Sequence, residues 1–261
     1  MNVACLQMDM VFCSPEENFR KAEALIAQAM ERNPDVLVLP ETWNTGFFPR
    51  ENLSQLCDRD GNRVKERIGA LAKKYRVNIV AGSVSNLRGD RVYNTAFVFD
   101  REGTCVACYD KIHLFSPMEE QKFYTPGDKL CRFTLDGVPC GLVICYDIRF
   151  PELTRSLALA GTDVLFMVAQ WSEERLSHLK NLTVARAIEN QMFVVCCNSC
   201  GTADGTVYGG NSAIIDPLGQ HLAQAGMQEE ILSAQLDTDK LQTIRNTIPV
   251  FRARRPELYH L

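Results

Sequence analysis

The sequence predicts an α/β fold in which sheet is covered by helices, and three observations support this. Short runs of β-branched and aliphatic residues alternate with amphipathic stretches of helical period. Hydrophobic residues make up 46% of the 261 positions and charged residues 23%, so the chain can build a full core. No Pro/Gly/Ser-rich or charged stretch divides it. We therefore expect a single domain over residues 1–261, although periodicity does not decide between one sheet and two.

Strands and helices alternate in the first half of the chain. The predicted elements are strands at 1–8, 36–39 and 77–82, a helix near 63–75, and a strand pair across the turn at 100–103. Residues 14–17 (Ser-Pro-Glu-Glu) have the pattern of a capping box with Pro at the first helical position. They predict a helix whose Phe19, Ala22, Ile26 and Met30 share one face.

The second half continues the alternation after a long loop and two strands, the latter ending in the apolar run 138–144. The later predicted elements are helices at 151–160 and near 173–190, strands at 163–168 and 192–197, and strands near 212–216 and 230–236 separated by a turn at 216–219. Cys145 follows the run 138–144 directly, and a Pro-initiated helix follows Cys145. The thiol is therefore predicted to lie at a strand-to-helix turn.

Charge and hydropathy exclude several classes of partner. A formal net charge of -4 offers no basic field for nucleic acid or anionic lipid, so we expect a small-molecule substrate. The first eight residues lack the features of a signal peptide, and no apolar run approaches the roughly 18 residues of a membrane span. We expect a cytoplasmic protein.

The cysteine content favours a reducing compartment. There are 11 cysteines, and several lie in apolar strand-like runs where a thiol packs as a small hydrophobic group. The pairs Cys105/Cys108 and Cys197/Cys200 have a spacing that is common in zinc sites. Side chains three apart in a strand point to opposite faces and cannot converge on one ion. We expect no metal site and no cofactor.

Three chemically active residues each follow an apolar run. Glu41 follows residues 35–40, Lys111 follows 104–110, and Cys145 follows 138–144. Strand ends of α/β sheets open onto crevices where ligands bind. Taken singly, each residue has a simpler explanation, a surface charge or a packed thiol. Together they provide a carboxylate, an ammonium and a nucleophile.

The order of these residues and their neighbours resembles the nitrilase superfamily of carbon–nitrogen hydrolases. The resemblance rests on residues 39–42 (Leu-Pro-Glu-Thr), 109–114 (Tyr-Asp-Lys-Ile-His-Leu) and 145–152 (Cys-Tyr-Asp-Ile-Arg-Phe-Pro-Glu), and it covers nearly the whole chain. It implies a four-layer α-β-β-α sandwich whose subunits pair as a homodimer or higher homo-oligomer. It also implies that Cys145 attacks an amide carbonyl while Glu41 moves protons.

The same resemblance implies further roles. Lys111 and the backbone N–H of Tyr146 would stabilise the oxyanion, and Glu120 would be a supporting glutamate, with the adjacent Glu119 as the alternative. Arg149 has two interpretations. It could bind a substrate carboxylate, as in related carbamoyl-amino-acid hydrolases, or pair with Glu152 to fix the turn.

Aromatic residues near these motifs are candidate pocket walls or core residues; they are Trp43, Phe47, Phe123, Tyr124 and Trp171. The substrate-binding set expected from the sequence is thus Tyr146, Arg149, Trp43, Phe123 and Trp171. His113 and His178 raise a rival Cys-His nucleophile pair oriented by Asn198 or Asp147. That rival would leave the placement of Glu41 and Lys111 unexplained.

The motifs also point to a branch of the superfamily. Tyr146 and Asp147 after the nucleophile resemble amidase members, and the tail at about 246–261 resembles that of the omega-amidases. The resemblance implies hydrolysis of the terminal amide of 2-oxoglutaramate or 2-oxosuccinamate, with the tail at a dimer interface. Hydrolysis of N-carbamoyl amino acids or other small amides, and a non-catalytic binding role, remain as alternatives.

Overall fold

Two β-sheets packed face to face form the centre of the molecule. The structure is a computed structural model and describes residues 1–47 and 49–259. Within those residues the first sheet has seven strands: β1 (Asn2–Gln7), β2 (Val36–Val38), β3 (Asp58–Arg59), β4 (Asn78–Arg88), β5 (Arg91–Phe99), β6 (Cys105–Asp110) and β15 (Glu230–Gln235). The second sheet has six over the same residues: β7 (Cys131–Leu135), β8 (Val138–Ile144), β9 (Val164–Ala169), β10 (Phe193–Asn198), β13 (Ala213–Ile215) and β14 (His221–Gln224).

The remaining elements are a hairpin and helices. The hairpin pairs β11 (Cys200–Ala203) with β12 (Thr206–Gly209). The α-helices are α1 (Pro15–Ala29), α2 (Leu53–Leu56), α3 (Asn62–Tyr75), α4 (Pro151–Leu159), α5 (Leu176–Asn190) and α6 (Leu241–Thr247).

Strand direction brings several strand ends to one edge of each sheet. The first sheet has the order β15-β1-β2-β4-β5-β6, in which β1, β2 and β4 are parallel. Because β5 pairs antiparallel with both β4 and β6, strand β6 runs in the same direction as β2. In the second sheet β8, β9 and β10 are parallel. The carboxyl ends of β2 and β6, and likewise those of β8, β9 and β10, therefore share an edge.

The apolar core consists mainly of two clusters of buried side chains. One cluster fills the space between the sheets, where Val38 and Val98 of the first sheet and Val143 and Phe166 of the second are buried, and it continues to α4 and α5. A second cluster lies on the other face of the first sheet, against α1 and α3. The order α1/α3, first sheet, second sheet, α4/α5 confirms the predicted α-β-β-α sandwich.

Most predicted elements are found within a few residues of their expected positions, and three differences have physical causes. Ser14 does not cap α1 with its side chain, so the predicted capping box is wrong; the Asn18 amide instead bonds back to Val11. The strand expected at 77–82 continues to Arg88 through a register shift beside Gly82. The hairpin β11–β12 and strand β14 were not predicted, because runs of four residues are too short to show a clear period.

The tail expected at about 246–261 is described up to residue 259, and residues 260 and 261 lie outside the described part. Across the described residues, every helix is too short or too polar to cross a bilayer.

Candidate active site

The three strand-end residues meet where the two sheets face each other. Glu41 lies just beyond β2 and Lys111 directly after β6, both in the first sheet, whereas Cys145 follows β8 in the second. The segment after β2 packs closely on β4 because Gly82, at φ +60°, has no side chain to collide with the carbonyl of Pro40. The N–H of Glu41 donates to the carbonyl of Ala169 at 3.3 Å, which ties this segment to the end of β9.

A buried ion cluster surrounds the Lys111 ammonium. Its Nζ lies 2.8 Å from Glu41 Oε1, and 3.1 and 2.9 Å from Glu120 Oε1 and Oε2. The side chains of Lys111, Glu41 and Glu120 are all 0% exposed. Glu119 instead lies at the surface, paired with Lys122. The structure therefore places Glu120, and not Glu119, beside Lys111.

Burial and charge set the proton positions in the cluster. Burial raises the pKa of the Glu41 carboxyl; Lys111 opposes this rise and Glu120 adds to it. Burial also raises the pKa of the Cys145 thiol well above its ordinary value; Glu41 adds to this rise and Lys111 opposes it. Burial would lower the pKa of Lys111, but the two carboxylates together raise it well above its usual range. The thiol is thus neutral at rest, and it needs a base to form a thiolate.

The two oxygens of Glu41 have different surroundings. Oε1 accepts hydrogen bonds from Lys111 Nζ and from Asn94 Nδ2, at 2.8 and 2.9 Å. Among the residues that the structure describes, Oε2 is buried and has no hydrogen bond of normal geometry. The Cys145 thiol is close enough for thiol and carboxyl to shift each other's pKa. Oε2 is therefore the oxygen available to a proton from sulfur.

The nucleophile turn is held in a strained conformation. Cys145 has φ 48°, a left-handed value that a non-glycine residue adopts at a cost of roughly 1–3 kcal/mol. Asp147, fully buried, accepts hydrogen bonds from the N–H of Ile144, the N–H of His113 and the hydroxyl of Tyr109, at 3.0, 2.9 and 2.7 Å. Because Tyr109 and His113 flank Lys111, this carboxylate ties the Cys145 turn to the segment carrying the ammonium.

A cavity opens onto the thiol. Its walls are largely aromatic and apolar, with a few polar groups; the lining residues include Phe47, Phe115, Met118, Tyr146, Gln170, Trp171, Thr206 and Tyr208. Tyr146 is the second residue of the 3₁₀ helix Cys145–Arg149, so its N–H has no acceptor within that helix. Tyr146 and Trp171, both expected to bind substrate, line this cavity together with Cys145.

Two guanidinium groups also line this cavity. Arg149 lies over the Trp171 ring, 4.6 Å from its centroid, and its Nη2 is 3.2 Å from His178 Nδ1. No ion pair joins it to Glu152 within residues 1–47 and 49–259, so the structural pairing considered for Arg149 is not formed. Arg175 lies over the Phe115 ring at 5.3 Å.

Two of the expected pocket residues lie elsewhere. Trp43 is 0% exposed and packs on Phe19 of α1, and its Nε1 donates to the Ala81 carbonyl at 2.7 Å. It belongs to the core on the far side of the first sheet, so the expectation that it binds substrate is wrong. Phe123 packs beside the cluster of Phe47 and its neighbours and does not line the cavity.

The rival Cys-His pair is not assembled. His113 Nδ1 lies 2.8 Å from Asp147 Oδ1 and its ring stacks on Phe150. His178 contacts Arg149 instead of the thiol. Asn198, the other candidate orienter, accepts the N–H of Trp171.

Sequence reasoning missed several residues of the site. Asn94 bonds to both carboxylates, and Arg175, Phe115 and Tyr208 line the cavity. The only sequence signal for Asn94 is its place just before the apolar run 96–99 of β5. Phe115 lies on a loop, Tyr208 on the unpredicted hairpin, and Arg175 at the start of the helix predicted near 173–190, and no motif marks any of the three.

Comparisons with known proteins agree with this arrangement. A family model described as carbon-nitrogen hydrolase matches residues 2–246. The chain is 44% identical over 257 residues to the 2-oxoglutaramate amidase of Bacillus subtilis (strain 168), covering 98% of each chain. It is 31% identical over 256 residues to the omega-amidase NIT2 of Xenopus tropicalis, covering 93% of this chain and 91% of that one. Nit3 of Saccharomyces cerevisiae, described as a member of branch 10 of the nitrilase superfamily, superposes with a TM-score of 0.91 at 26% identity, covering 98% of this chain and 96% of that one.

Proposed function

The chain belongs to the carbon–nitrogen hydrolase family, and from that premise we propose that it hydrolyses the terminal amide of a small oxo acid of the 2-oxoglutaramate type. The products are ammonia and a dicarboxylic acid. The observation that carries the proposal is the buried cluster of Lys111, Glu41 and Glu120 beside the Cys145 thiol, at the base of a cavity. The names of the two amidase relatives supply the substrate class.

The lining of the cavity supports a small anionic substrate. Most of the wall is apolar, so a guanidinium there is weakly screened and attracts a carboxylate. Arg149 and Arg175 both line the cavity with Cys145. In the proposed complex one or both bind the end of the substrate remote from the amide.

The first half of the reaction forms a thioester. Cys145 Sγ attacks the amide carbon as the thiol proton passes to Glu41 Oε2, so an S–C bond and an O–H bond form while the S–H bond breaks. The carbonyl oxygen becomes an oxyanion, which Lys111 and the N–H of Tyr146 stabilise; losing one such donor typically costs about 10²–10³ in rate. Glu41 then gives its proton to the leaving nitrogen. The C–N bond breaks and ammonia departs.

The second half consumes water. Glu41, ionised again, takes a proton from a water molecule whose oxygen attacks the thioester carbon. The C–S bond breaks, the thiolate recovers a proton through Glu41, and the carboxylic acid leaves. Glu120 accepts hydrogen bonds from Lys111 Nζ, from the Asn94 amide and from the N–H of Phe115, so its proposed role is to hold the ammonium between the two carboxylates.

The test is release of ammonia from 2-oxoglutaramate by the wild type and by Cys145→Ala. Cys140→Ala is a matched control, since Cys140 is also buried and lies on β8, the strand that Cys145 follows. We expect loss of at least 10³-fold in kcat for the first variant and little change for the second. Comparable rates in the wild type and Cys145→Ala would overturn the proposal, as would a wild type inactive on every small amide tested.

A carboxylate-binding cavity also suits N-carbamoyl amino acids. A substrate panel comparing ureido acids with oxo-acid amides at equal concentration separates the two. Higher kcat/KM on oxo-acid amides supports the proposal, whereas higher kcat/KM on ureido acids contradicts it.

We further propose that two copies pair through the α4–α5 layer and the tail. Large apolar side chains are exposed on this side of the molecule: Leu159, Ile188, Leu218, Ile248 and Leu258. Exposed apolar side chains grouped in this way favour a protein interface. Ile188→Glu should shift the protein to monomers in light scattering, and an unchanged mass would contradict the pairing.

A further inference from the structure

Asn94 stands at the centre of the ion cluster although it carries no charge. It lies on β5 and is 0% exposed. Its Nδ2 donates to Glu41 Oε1 at 2.9 Å and to Glu120 Oε1 at 3.3 Å, and its backbone carbonyl accepts the N–H of Lys111 at 2.9 Å. One side chain and its backbone thus contact all three charged members of the cluster.

The contacts form a closed ring. Lys111 Nζ and Asn94 Nδ2 each bridge the same two oxygens, Oε1 of Glu41 and Oε1 of Glu120. Two donors alternating with two acceptors fix both carboxylates more rigidly than one donor could. Because Glu41 Oε1 is held from two sides, its Oε2 is left to face the thiol.

The orientation of the amide is determined by its neighbours. If the Asn94 amide were rotated by 180°, its Oδ1 would face two carboxylate oxygens and repel both. In the orientation found, Oδ1 is buried and has no hydrogen-bond partner among the residues described. A buried acceptor without a partner destabilises a fold, so the arrangement sacrifices stability in order to present the N–H donors to the carboxylates.

We propose that Asn94 is a positioning residue that holds Glu41 with Oε2 as the oxygen that exchanges protons with Cys145. This rests on the proposed thioester mechanism and adds to it a residue outside the Glu, Lys and Cys set. The N–H donors of Asn94 favour the ionised carboxylate, which is the form that must receive the thiol proton. Without them Glu41 is both freer to rotate and harder to ionise.

The groups that face Glu41 determine how its pKa changes when the Asn94 amide is removed. They are the ammonium of Lys111, the carboxyl of Glu120, the thiol of Cys145, and the phenols of Tyr124 and Tyr208. The only cation of this set is Lys111, which is already shared with Glu120. Loss of the Asn94 donor therefore raises the pKa of Glu41 further, and activity needs a higher pH.

The experiment compares Asn94→Ala and Asn94→Ser with a control, Asn86→Ala. Asn86 is 1% exposed on β4, and its amide bonds to Gly61 and Thr95 away from the cluster. Two pH profiles are measured for each protein: kcat/KM on an amide that the wild type hydrolyses, and the rate at which iodoacetamide alkylates Cys145, followed by peptide mass spectrometry. The alkylation rate does not depend on which amide is the substrate.

We expect Asn94→Ala to lower kcat by about 10–100-fold with KM within about threefold, as for a misplaced catalytic group. The acid limb of both profiles should move to higher pH. Asn94→Ser, whose hydroxyl can donate once, should fall between the alanine variant and the wild type. Asn86→Ala should leave both profiles unchanged.

Two results would overturn the proposal. One is an acid limb that stays in place for both Asn94 variants, whatever their activity. The other is failure of both Asn94 variants to fold while Asn86→Ala folds, because this would make the amide a determinant of folding. If the wild type hydrolyses no amide but the alkylation profile still shifts, the proposed reaction fails and the positioning role stands.

Discussion

Replacing Lys111 by Met isolates the electrostatic role of the ammonium. Its ion pairs with Glu41 and Glu120, at 2.8 and 2.9 Å, are both fully buried. At an effective dielectric constant of about 20, each pair has a gross attraction of about 6 kcal/mol, which desolvation partly offsets. Removing one partner of a buried pair typically costs about 3–5 kcal/mol. For a chain of this length that corresponds to a fall in Tm of about 6–10 °C.

The fall in Tm caused by Lys111→Met should grow as the pH rises. Without the ammonium, the pKa of Glu41 in the folded protein rises further above its value in the unfolded chain. Such a group stabilises the fold fully below its unfolded-state pKa and loses that contribution as pH rises through the folded-state pKa. The difference in Tm between wild type and Lys111→Met should therefore be larger at about pH 8 than at about pH 5.

The assay is thermal unfolding followed by circular dichroism, with Lys122→Met as the control. Lys122 forms an exposed pair with Glu119, and such pairs contribute about 0–1 kcal/mol. The double variant Lys111→Met/Glu120→Gln removes one carboxylate charge together with the ammonium, so it should recover part of the Tm without recovering activity. Equal losses for Lys111→Met and Lys122→Met, or a loss that does not change with pH, would refute the reasoning.

Three further outcomes follow from the site. Asp147→Asn should lower Tm and kcat more than Tyr109→Phe, because the tyrosine variant deletes only one donor, worth about 1 kcal/mol. Equal losses for the two variants in unfolding and kinetic assays would contradict the idea that Asp147 ties the Cys145 turn to the segment carrying Lys111. Arg149→Ala and Arg175→Ala should raise KM at least tenfold for 2-oxoglutaramate but not for a neutral aliphatic amide, and an equal effect on both substrates would contradict carboxylate binding. In the wild type, kcat/KM should fall on acidification through a pKa above that of an ordinary glutamate, because burial raises the pKa of Glu41; a limb at the ordinary value would contradict Glu41 as the base.

Sequence patterns were informative where local rules decide the structure. Glu41, Lys111 and Cys145 each follow an apolar run; β2 and β6 point the same way in the first sheet, and β8 of the facing sheet ends beside them. Strand-end positions therefore predict that three residues far apart in the chain lie close together. The motif around Glu120 added a fourth residue, which the structure places against Lys111.

The remaining residues depend on contacts that no local pattern encodes. Trp43 and Trp171 are both aromatic residues after strands, yet one faces α1 and the other faces the cavity. A turn at Thr42, with φ 41°, separates Glu41 from Trp43, and its geometry is not visible in the sequence. Tyr208 reaches the cavity through a bridge to Ser172, a pairing of distant segments.

The most direct measurement of the central claim is mass spectrometry of the protein quenched with acid during turnover of 2-oxoglutaramate. The mechanism predicts an acyl adduct on the peptide that contains Cys145, absent from Cys145→Ala and increased when hydrolysis of the thioester is slowed. An adduct on any other of the cysteines, or steady ammonia release with no adduct on Cys145 under any condition, would contradict it.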